Sequence, residues 1–148
     1  MVNPIYFISG HSDLTQKEFI KYYVPKIKDA MKYCPDCHFV LGDAKGCDTL
    51  ANEFLRVLGA NAIIYHRYKY PKNNPGNFPT VGGFQSKSNC NKMMTSVSSH
   101  DILWIRKGKE KSSVAKNRKR RQIFNKGGVV ENGDPPGRLT SVSSHDIL

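Results

Sequence analysis

The segment that decides the fold is FVLGDAKGCDTLANEFLRVLG, residues 39–59. Its apolar run 39–41 has the length of a short buried strand and stops at Gly42. After Gly46 the apolar residues recur at helical spacing, and Gly59 stands where glycine commonly ends a helix. The segment therefore predicts a strand, a glycine-containing turn and an amphipathic helix, which is one unit of an α/β fold.

The same order occurs on both sides of this segment. Three further apolar runs predict strands, at 5–8, 62–65 and 100–105. Three further stretches predict helices, at 19–31, 91–98 and 114–124. Asp13 or Thr15 can cap the first of these helices, Ser112 or Ser113 can cap the last, and Trp104 is expected in the core. We predict an α/β fold: a single Rossmann-like domain with a mainly parallel sheet of about five strands and helices on both faces.

The length of 148 residues indicates one domain, which we assign to residues 1–126. Residues 127–148 form a C-terminal tail in which TSVSSHDIL, residues 95–103, occurs a second time at 140–148. Because the first copy leads into a predicted strand, one interpretation is that the second copy adds to a sheet edge in a partner subunit. The other interpretation is a duplicated coding segment or a sequence artefact.

Charge and hydropathy narrow the class of protein. The chain has 23 Lys and Arg against 12 Asp and Glu, a net charge of +11, and nine of these cations lie within 106–121. Such a block attracts phosphate, or it is the solvated face of a helix. No apolar run approaches the roughly 20 residues of a membrane span, and the N-terminus lacks the pattern of a secretory signal. We expect a cytoplasmic protein.

The four cysteines are Cys34, Cys37, Cys47 and Cys90. Without an export signal they are expected to be reduced. The spacing of Cys34 and Cys37 is found in zinc and redox sites, but no second pair of ligands with zinc spacing is present. A redox motif also needs a strand before it and a helix after it, the reverse of the predicted order. We interpret all four as structural thiols and predict no metal and no cofactor.

Three predicted turns should meet at the carboxyl edge of the sheet, where open α/β folds bind ligands. Glycine allows close approach of a ligand to the backbone, and a helix N-terminus attracts anions. The turns therefore predict a phosphate-binding site, and its residues are Ser9, Gly10, Gly42, Lys45, Gly46, Ser112 and Ser113.

Residues 66–88 interrupt the alternation of strands and helices with a long loop. Its first part, 66–79, interleaves tyrosines with Lys and Arg, which is typical of surfaces that stack on a base and contact phosphate. The alternative is a surface loop whose aromatic residues pack on the sheet edge.

The motifs, taken in order, resemble those of the SLOG superfamily, Rossmann-like domains related to the LOG nucleotide phosphoribohydrolases and the DNA-processing protein DprA. The matching stretches are FISGH at 7–11, GDAKGCDTLA at 42–51, NKMM at 91–94, HDILWIR at 100–106 and SSVAKN at 112–117. The resemblance spans roughly residues 4–125. It implies a parallel sheet flanked by helices and a site for a nucleotide or a nucleotide-derived ligand.

The sequence departs from the family pattern in both phosphate-facing loops. Asp43 stands in place of the second glycine of Gly-Gly-Ala-x-Gly-Ala-Asp, and Cys47 in place of its second alanine. Ser113 and Val114 stand in place of the Gly and Thr of Ser-Gly-Thr, and the catalytic glutamate motif of the LOG enzymes is absent. Loss of that Gly and of the Thr hydroxyl weakens the phosphate contact that the resemblance implies.

N-glycosidic hydrolysis would need a carboxylate near the sugar. The loops offer Asp43 and Asp48, besides Asp101, and we predict that Asp48 caps its helix and that Asp43 is catalytic. His11 is the second predicted catalytic residue, because histidine titrates near neutral pH.

Binding of a nucleotide-derived ligand is the first prediction, with hydrolysis as an added possibility. The first alternative is binding of single-stranded nucleic acid through Arg106, Lys116, Arg118, Arg120 and Arg121. The second alternative is a ligand sensor without catalysis. A homo-oligomer without membrane association is expected in each case.

Overall fold

Strands and helices alternate along residues 3–127, the part of the chain that the computed structural model describes. The strands are β1 Ile5–Ser9, β2 His38–Leu41, β3 Asn61–Tyr65, β4 Thr80–Val81 and β5 His100–Leu103. The helices are α1 Gln16–Tyr22, α2 Val24–Tyr33, α3 Cys47–Leu58, α4 Lys87–Val97 and α5 Ser113–Asn125. Apart from Gly127, the predicted tail with its second TSVSSHDIL copy lies outside the described residues.

The five strands form one sheet in the order β4-β3-β2-β1-β5, and every neighbouring pair is parallel. The predicted fold class is confirmed. The fifth strand, β4, lies inside the segment predicted as a loop and pairs only Thr80 and Val81 with the end of β3. A two-residue strand carries no periodic signal, which is why the sequence did not reveal it.

Side chains that alternate along the strands separate two apolar layers. Ile8 and Leu41 face the layer formed with α1, α2 and α3, which includes Phe19, Ile27 and Leu55. On the other face, Phe7, Val40 and Tyr65 pack against α4 residues Cys90, Met94 and Val97. The sheet therefore has helices on both faces, as predicted.

The first predicted helix, 19–31, is two helices in the structure. Thr15 caps α1 through a capping box with Glu18, so one of the two predicted caps is confirmed. The break falls at Tyr23, two residues before Pro25, because proline has no N–H to continue the helical hydrogen bonds. The Tyr23 hydroxyl, buried at this junction, donates to the Ser9 carbonyl at 2.7 Å and accepts from the Trp104 N–H at 3.0 Å.

The predicted strand 100–105 ends earlier in the structure, at Leu103. Trp104 is half-buried beyond it rather than in the core, and its ring stacks on Tyr22 at 4.1 Å. None of the helices within residues 3–127 has both the length and the apolar composition needed to cross a membrane.

Candidate functional site

A cleft opens at the carboxyl ends of β2 and β3, on the side of the sheet that α4 covers. Its walls come from the turn after β2, the first turn of α3, the end of β3 with the segment after it, and α4. The lining residues are Gly42, Asp43, Ala44, Asp48, Tyr65, Arg67, Tyr68, Lys72, Lys87, Cys90, Asn91 and Met94. The cavity volume is about 90 Å³, which is space for roughly three water molecules.

Asp48 does not cap its helix, contrary to the prediction. The N-cap of α3 is Gly46, which provides no side-chain bond, and Asp48 is the second residue of the helix. Its Oδ2 instead accepts from the Ala44 N–H at 3.1 Å. A Cβ on Gly42 would come within 2.8 Å of the same oxygen, so the glycine makes room for the carboxylate. Asp48 is thus fixed at the inner wall of the cleft.

Burial raises the pKa of Asp48 to about 6, although the Ala44 N–H and the charge of Lys87 both act in the opposite direction. This value is well above the ordinary range of an aspartate. A carboxyl group that exchanges its proton close to neutral pH can act as an acid or as a base, whereas an ordinary aspartate can act only as a weak base.

Asp43, the predicted catalytic aspartate, also lines the cleft. Its Oδ2 accepts from the Lys72 N–H at 2.7 Å, and its carbonyl oxygen accepts from Asn73 Nδ2 at 3.2 Å. These bonds join the turn after β2 to the loop after β3. Asp43 thus holds two loops together in the structure, and its catalytic role stays a prediction.

The loop 66–79 is also held by hydrogen bonds of side-chain amides. Asn52 is buried on α3, and its Oδ1 accepts from the Gly76 N–H at 2.7 Å while its Nδ2 donates to Asn74 Oδ1 at 3.1 Å. Asn74 in turn bonds both the N–H and the carbonyl of Phe78, at 3.1 and 2.9 Å. Side-chain amides thus replace the backbone ladder that a strand would supply.

Three cations stand around the cleft, and the sequence had indicated only two of them. Arg67 and Lys72 belong to the loop already noted for its cations, and Lys87 comes from the first turn of α4. The predicted helix began at 91, whereas Ser86 caps the real one by accepting from the Asn89 N–H at 3.0 Å. The spacing of Lys87, Asn91 and Met94 on one helix face was the available signal for this wall.

His11, the other predicted catalytic residue, does not line this cleft. It is buried after β1, and its Nε2 accepts from the Arg106 N–H at 2.8 Å. Burial, reinforced by the Arg106 charge, lowers the pKa of His11. The structure therefore presents His11 as a neutral ring that joins the loops after β1 and β5.

At the crevice between β1 and β5, where the strand order reverses, Arg106 makes contacts within the protein. Arg106 donates to Glu18 at 2.7 and 3.2 Å and to Asp13 at 2.9 Å, and its guanidinium lies 5.8 Å from the Trp104 ring. The hydrogen bonds from Arg106 lower the pKa of Glu18 to about 2. Although ligands of this fold class commonly bind at the reversal point, these contacts occupy it.

The predicted phosphate-binding residues are divided among several places. Gly42 lines the cleft. Ser9 is buried, and a Cβ on Gly10 would collide with the Tyr23 hydroxyl and with Cys47 Sγ. Gly46 has φ +76° and packs against the carbonyls of Ser12 and His11. Gly10 and Gly46 are therefore required for chain packing.

The remaining predicted phosphate contacts also lie outside the cleft lining. Lys45 is exposed. Ser112 caps α5 by accepting from the Ala115 N–H at 3.3 Å, as predicted, and Ser113 is exposed on the first turn of that helix. Of the predicted phosphate-binding residues only Gly42 lines this cleft, and the phosphate contacts of the others stay a prediction.

The cations of the nucleic-acid alternative have unequal surroundings. Arg121 is buried, 3.0 Å from Asp101, and it also donates to the Ser98 carbonyl at 3.0 Å. Arg120 is half-buried and donates to Asn117 at 2.6 Å, and Arg106 is held as described above. Lys116 and Arg118 are exposed. Most of the predicted interface is therefore engaged in the fold, and the nucleic-acid alternative stays a prediction.

The four cysteines are free thiols, and Cys37, Cys47 and Cys90 are buried. Within residues 3–127, no group of three or more His, Cys, Asp or Glu side chains is arranged to hold a metal ion. Comparison of the chain with protein-family models, with curated proteins and with solved structures gives no match. The function is accordingly argued from the geometry of the cleft.

Proposed function

We propose that this protein binds a nucleotide or a nucleotide-derived phosphorylated ligand in the cleft between the turn after β2 and α4. The observation that carries the proposal is the meeting of Arg67, Lys72 and Lys87 around one opening that also has an aromatic wall, Tyr68. Cations beside an aromatic ring match the two chemical parts of a nucleotide, its phosphate and its base.

The size of the cleft agrees with this ligand class. A volume of about 90 Å³ leaves room for one phosphate group inside the walls, and the rest of the ligand then lies at the open mouth. The resemblance to the SLOG superfamily, given by the motifs alone, points to the same ligand class.

Thermal unfolding with each of the four ribonucleoside 5′-monophosphates tests the proposal. A ligand at 100 times its Kd stabilises the folded state by about 2.7 kcal/mol, which raises the Tm of a domain of this size by roughly 8 °C. Lys87→Ala is expected to reduce the shift, while Lys28→Ala removes the same charge from the exposed side of α2 and should leave it unchanged. A shift lost in Lys45→Ala and kept in Lys87→Ala would move the site to the turn that the sequence suggested.

A second function is favoured by one further observation, the raised pKa of Asp48. We propose that Asp48 promotes hydrolysis of the N-glycosidic bond of the bound ligand. The bond between C1′ and the base nitrogen breaks, the water oxygen joins C1′, and a proton passes to the departing base. The products are the free base and the phosphorylated sugar.

Chromatographic detection of free base after incubation with a ligand that binds tests this step. The rate is expected to depend on pH with an apparent pKa near that of Asp48, about 6, and Asp48→Asn should abolish it while binding persists. If no base is released from a ligand that binds, the protein is a binding or sensor protein and the hydrolytic proposal fails.

A further inference from the structure

Tyr68 is an aromatic side chain that lines the cleft and yet remains 55% exposed. Its neighbour Tyr65, at the end of β3, is buried and packs on Phe84 with ring centroids 5.8 Å apart. An exposed ring gains little from the hydrophobic effect. The position of Tyr68 therefore comes from the loop that carries it rather than from burial of its own surface.

Two cations of the cleft lie beside this ring. The Arg67 guanidinium is 5.1 Å and Lys72 Nζ is 5.9 Å from the ring centroid. Base stacking on an aromatic side chain, with the phosphate on neighbouring cations, is a general way of holding a nucleotide. The Tyr68 ring and the two cations beside it form one wall of the cleft.

The loop that carries Tyr68 is fixed at its centre by Asp43. The 2.7 Å bond from the Lys72 N–H and the 3.2 Å bond from Asn73 Nδ2 tie residues 72 and 73 to the turn after β2. A wall held before the ligand arrives loses less conformational entropy on binding than a mobile one. The Asp43 carboxylate, with an oxygen 2.7 Å from a backbone N–H, is placed to hold this wall.

We propose that Tyr68 stacks on the base of the ligand and determines its selectivity for base-containing phosphates, and that Asp43 is a positioning residue that holds Tyr68 over the cleft. This inference rests on the proposed nucleotide-binding function. It assigns to Asp43 a role different from the catalytic one that the sequence suggested.

Isothermal titration with two probes separates the base from the phosphate. The probes are ribose 5-phosphate and the nucleoside 5′-monophosphate that gives the largest thermal shift. Tyr68→Ala is expected to weaken the nucleotide roughly 10- to 100-fold and to leave ribose 5-phosphate unchanged, and Tyr68→Phe should stay within about twofold of the wild type for both. Tyr70→Ala is the matched control, because Tyr70 is 72% exposed on the same loop, with Lys69 Nζ 5.6 Å from its ring, and does not line the cleft.

The Asp43 part is tested by rescue and by a double-mutant cycle. Asp43→Ala removes the acceptor for the Lys72 N–H and should weaken the nucleotide as Tyr68→Ala does, whereas Asp43→Asn keeps an acceptor and should restore most of the affinity. Because both residues act through the position of one ring, Asp43→Ala should cause little further loss in the Tyr68→Ala background. A full additive loss would overturn the positioning role.

The outcomes also separate this inference from the proposed function. If neither phosphate probe binds the wild-type protein, the proposed function fails and the inference fails with it. If both bind, and Tyr68→Ala leaves them unchanged or weakens them equally, the base-stacking role is overturned while nucleotide binding stands.

Discussion

Replacing Asp48 by asparagine should stabilise the protein at neutral pH. The change preserves the shape of the side chain and an oxygen that can accept from the Ala44 N–H, the partner of Asp48 Oδ2 at 3.1 Å. It removes the ionisation of a carboxyl group whose pKa burial raises from 3.8 to about 6. Each pKa unit corresponds to 1.36 kcal/mol, so this shift is worth up to about 3 kcal/mol.

The sign of the effect follows from proton linkage. Between pH 4 and pH 6 the folded state holds a proton on Asp48 that the unfolded chain has released, so the stability of the wild type falls as the pH rises through this window. Above about pH 6 the buried charge lowers the unfolding free energy by its full amount, and below about pH 4 it has no effect. Asp48→Asn should therefore exceed the wild type in unfolding free energy by about 2–3 kcal/mol at pH 7.5, and the difference should shrink towards pH 4.

Urea denaturation at a series of pH values measures this difference, provided that the slope with denaturant is the same for both proteins. Titrations of other groups cancel in the comparison of the variant with the wild type. Asp29→Asn, on the exposed side of α2, is the control and should change stability by less than about 0.5 kcal/mol at every pH. A difference between Asp48→Asn and the wild type that does not vary with pH, or an asparagine variant less stable at pH 7.5, would refute the reasoning.

Three further perturbations test the packing around the site, each by chemical or thermal unfolding. Gly46→Ala should destabilise by about 3 kcal/mol or more, because φ is +76° and the new methyl group meets the Ser12 carbonyl, whereas Gly59→Ala, at φ +67° in open space, should cost about 1 kcal/mol. Burial lowers the pKa of His100 to about 4, so the folded state resists its protonation and stability should fall as the pH drops from 6.5 to 4; His100→Phe should remove this component and flatten the acid side of the profile. Arg121→Met should cost about 3–5 kcal/mol by leaving the buried Asp101 carboxylate without its cation, and adding Asp101→Asn should recover part of the loss.

The strands and helices with strong periodic patterns could be predicted from the sequence. The run 39–41, the helix after Gly46 and the caps at Thr15 and Ser112 are all local signals, and the structure has each of them. The break at Tyr23 could not be read from apolar spacing, because the pattern continues through it. The residue that marks it is Pro25, which has no N–H to continue the first helix, and the Tyr23 hydroxyl at the break then bridges the ends of β1 and β5.

The candidate site could be predicted only in part. The turn after β2 was recognised because glycines and aspartates follow an apolar run, and Gly42 and Asp43 do line the cleft. The α4 wall was missed, because the predicted helix began at 91 and so left Lys87 in the loop, whereas Ser86 caps the helix in the structure. The environment of Asp48 was missed as well, since its burial depends on residues far away in the sequence.

The cations at the reversal point of the sheet and those at the cleft have different partners. Trp104 stacks on Tyr22 at the reversal point, and Arg106 is paired with both Asp13 and Glu18. At the neighbouring strand ends no such ion pair is formed by Lys72 or Lys87 within residues 3–127, and these side chains surround open space. The cleft lining has three cations against two carboxylates, Asp43 and Asp48, and this excess of positive charge favours the anionic ligand that we propose.

The energetics of Asp48 support a functional interpretation of the same cleft. An asparagine could make the bond to the Ala44 N–H without the cost of burying a charge, so folding alone favours asparagine at this position. Groups that reduce stability and lie in a cleft with a shifted pKa are typical of functional sites. If Asp48→Asn gains stability at pH 7.5 and also loses activity on a ligand that it still binds, the carboxylate is there for chemistry. If Asp48→Asn gains stability and keeps both ligand binding and activity, the Asp48 carboxylate is not needed for either.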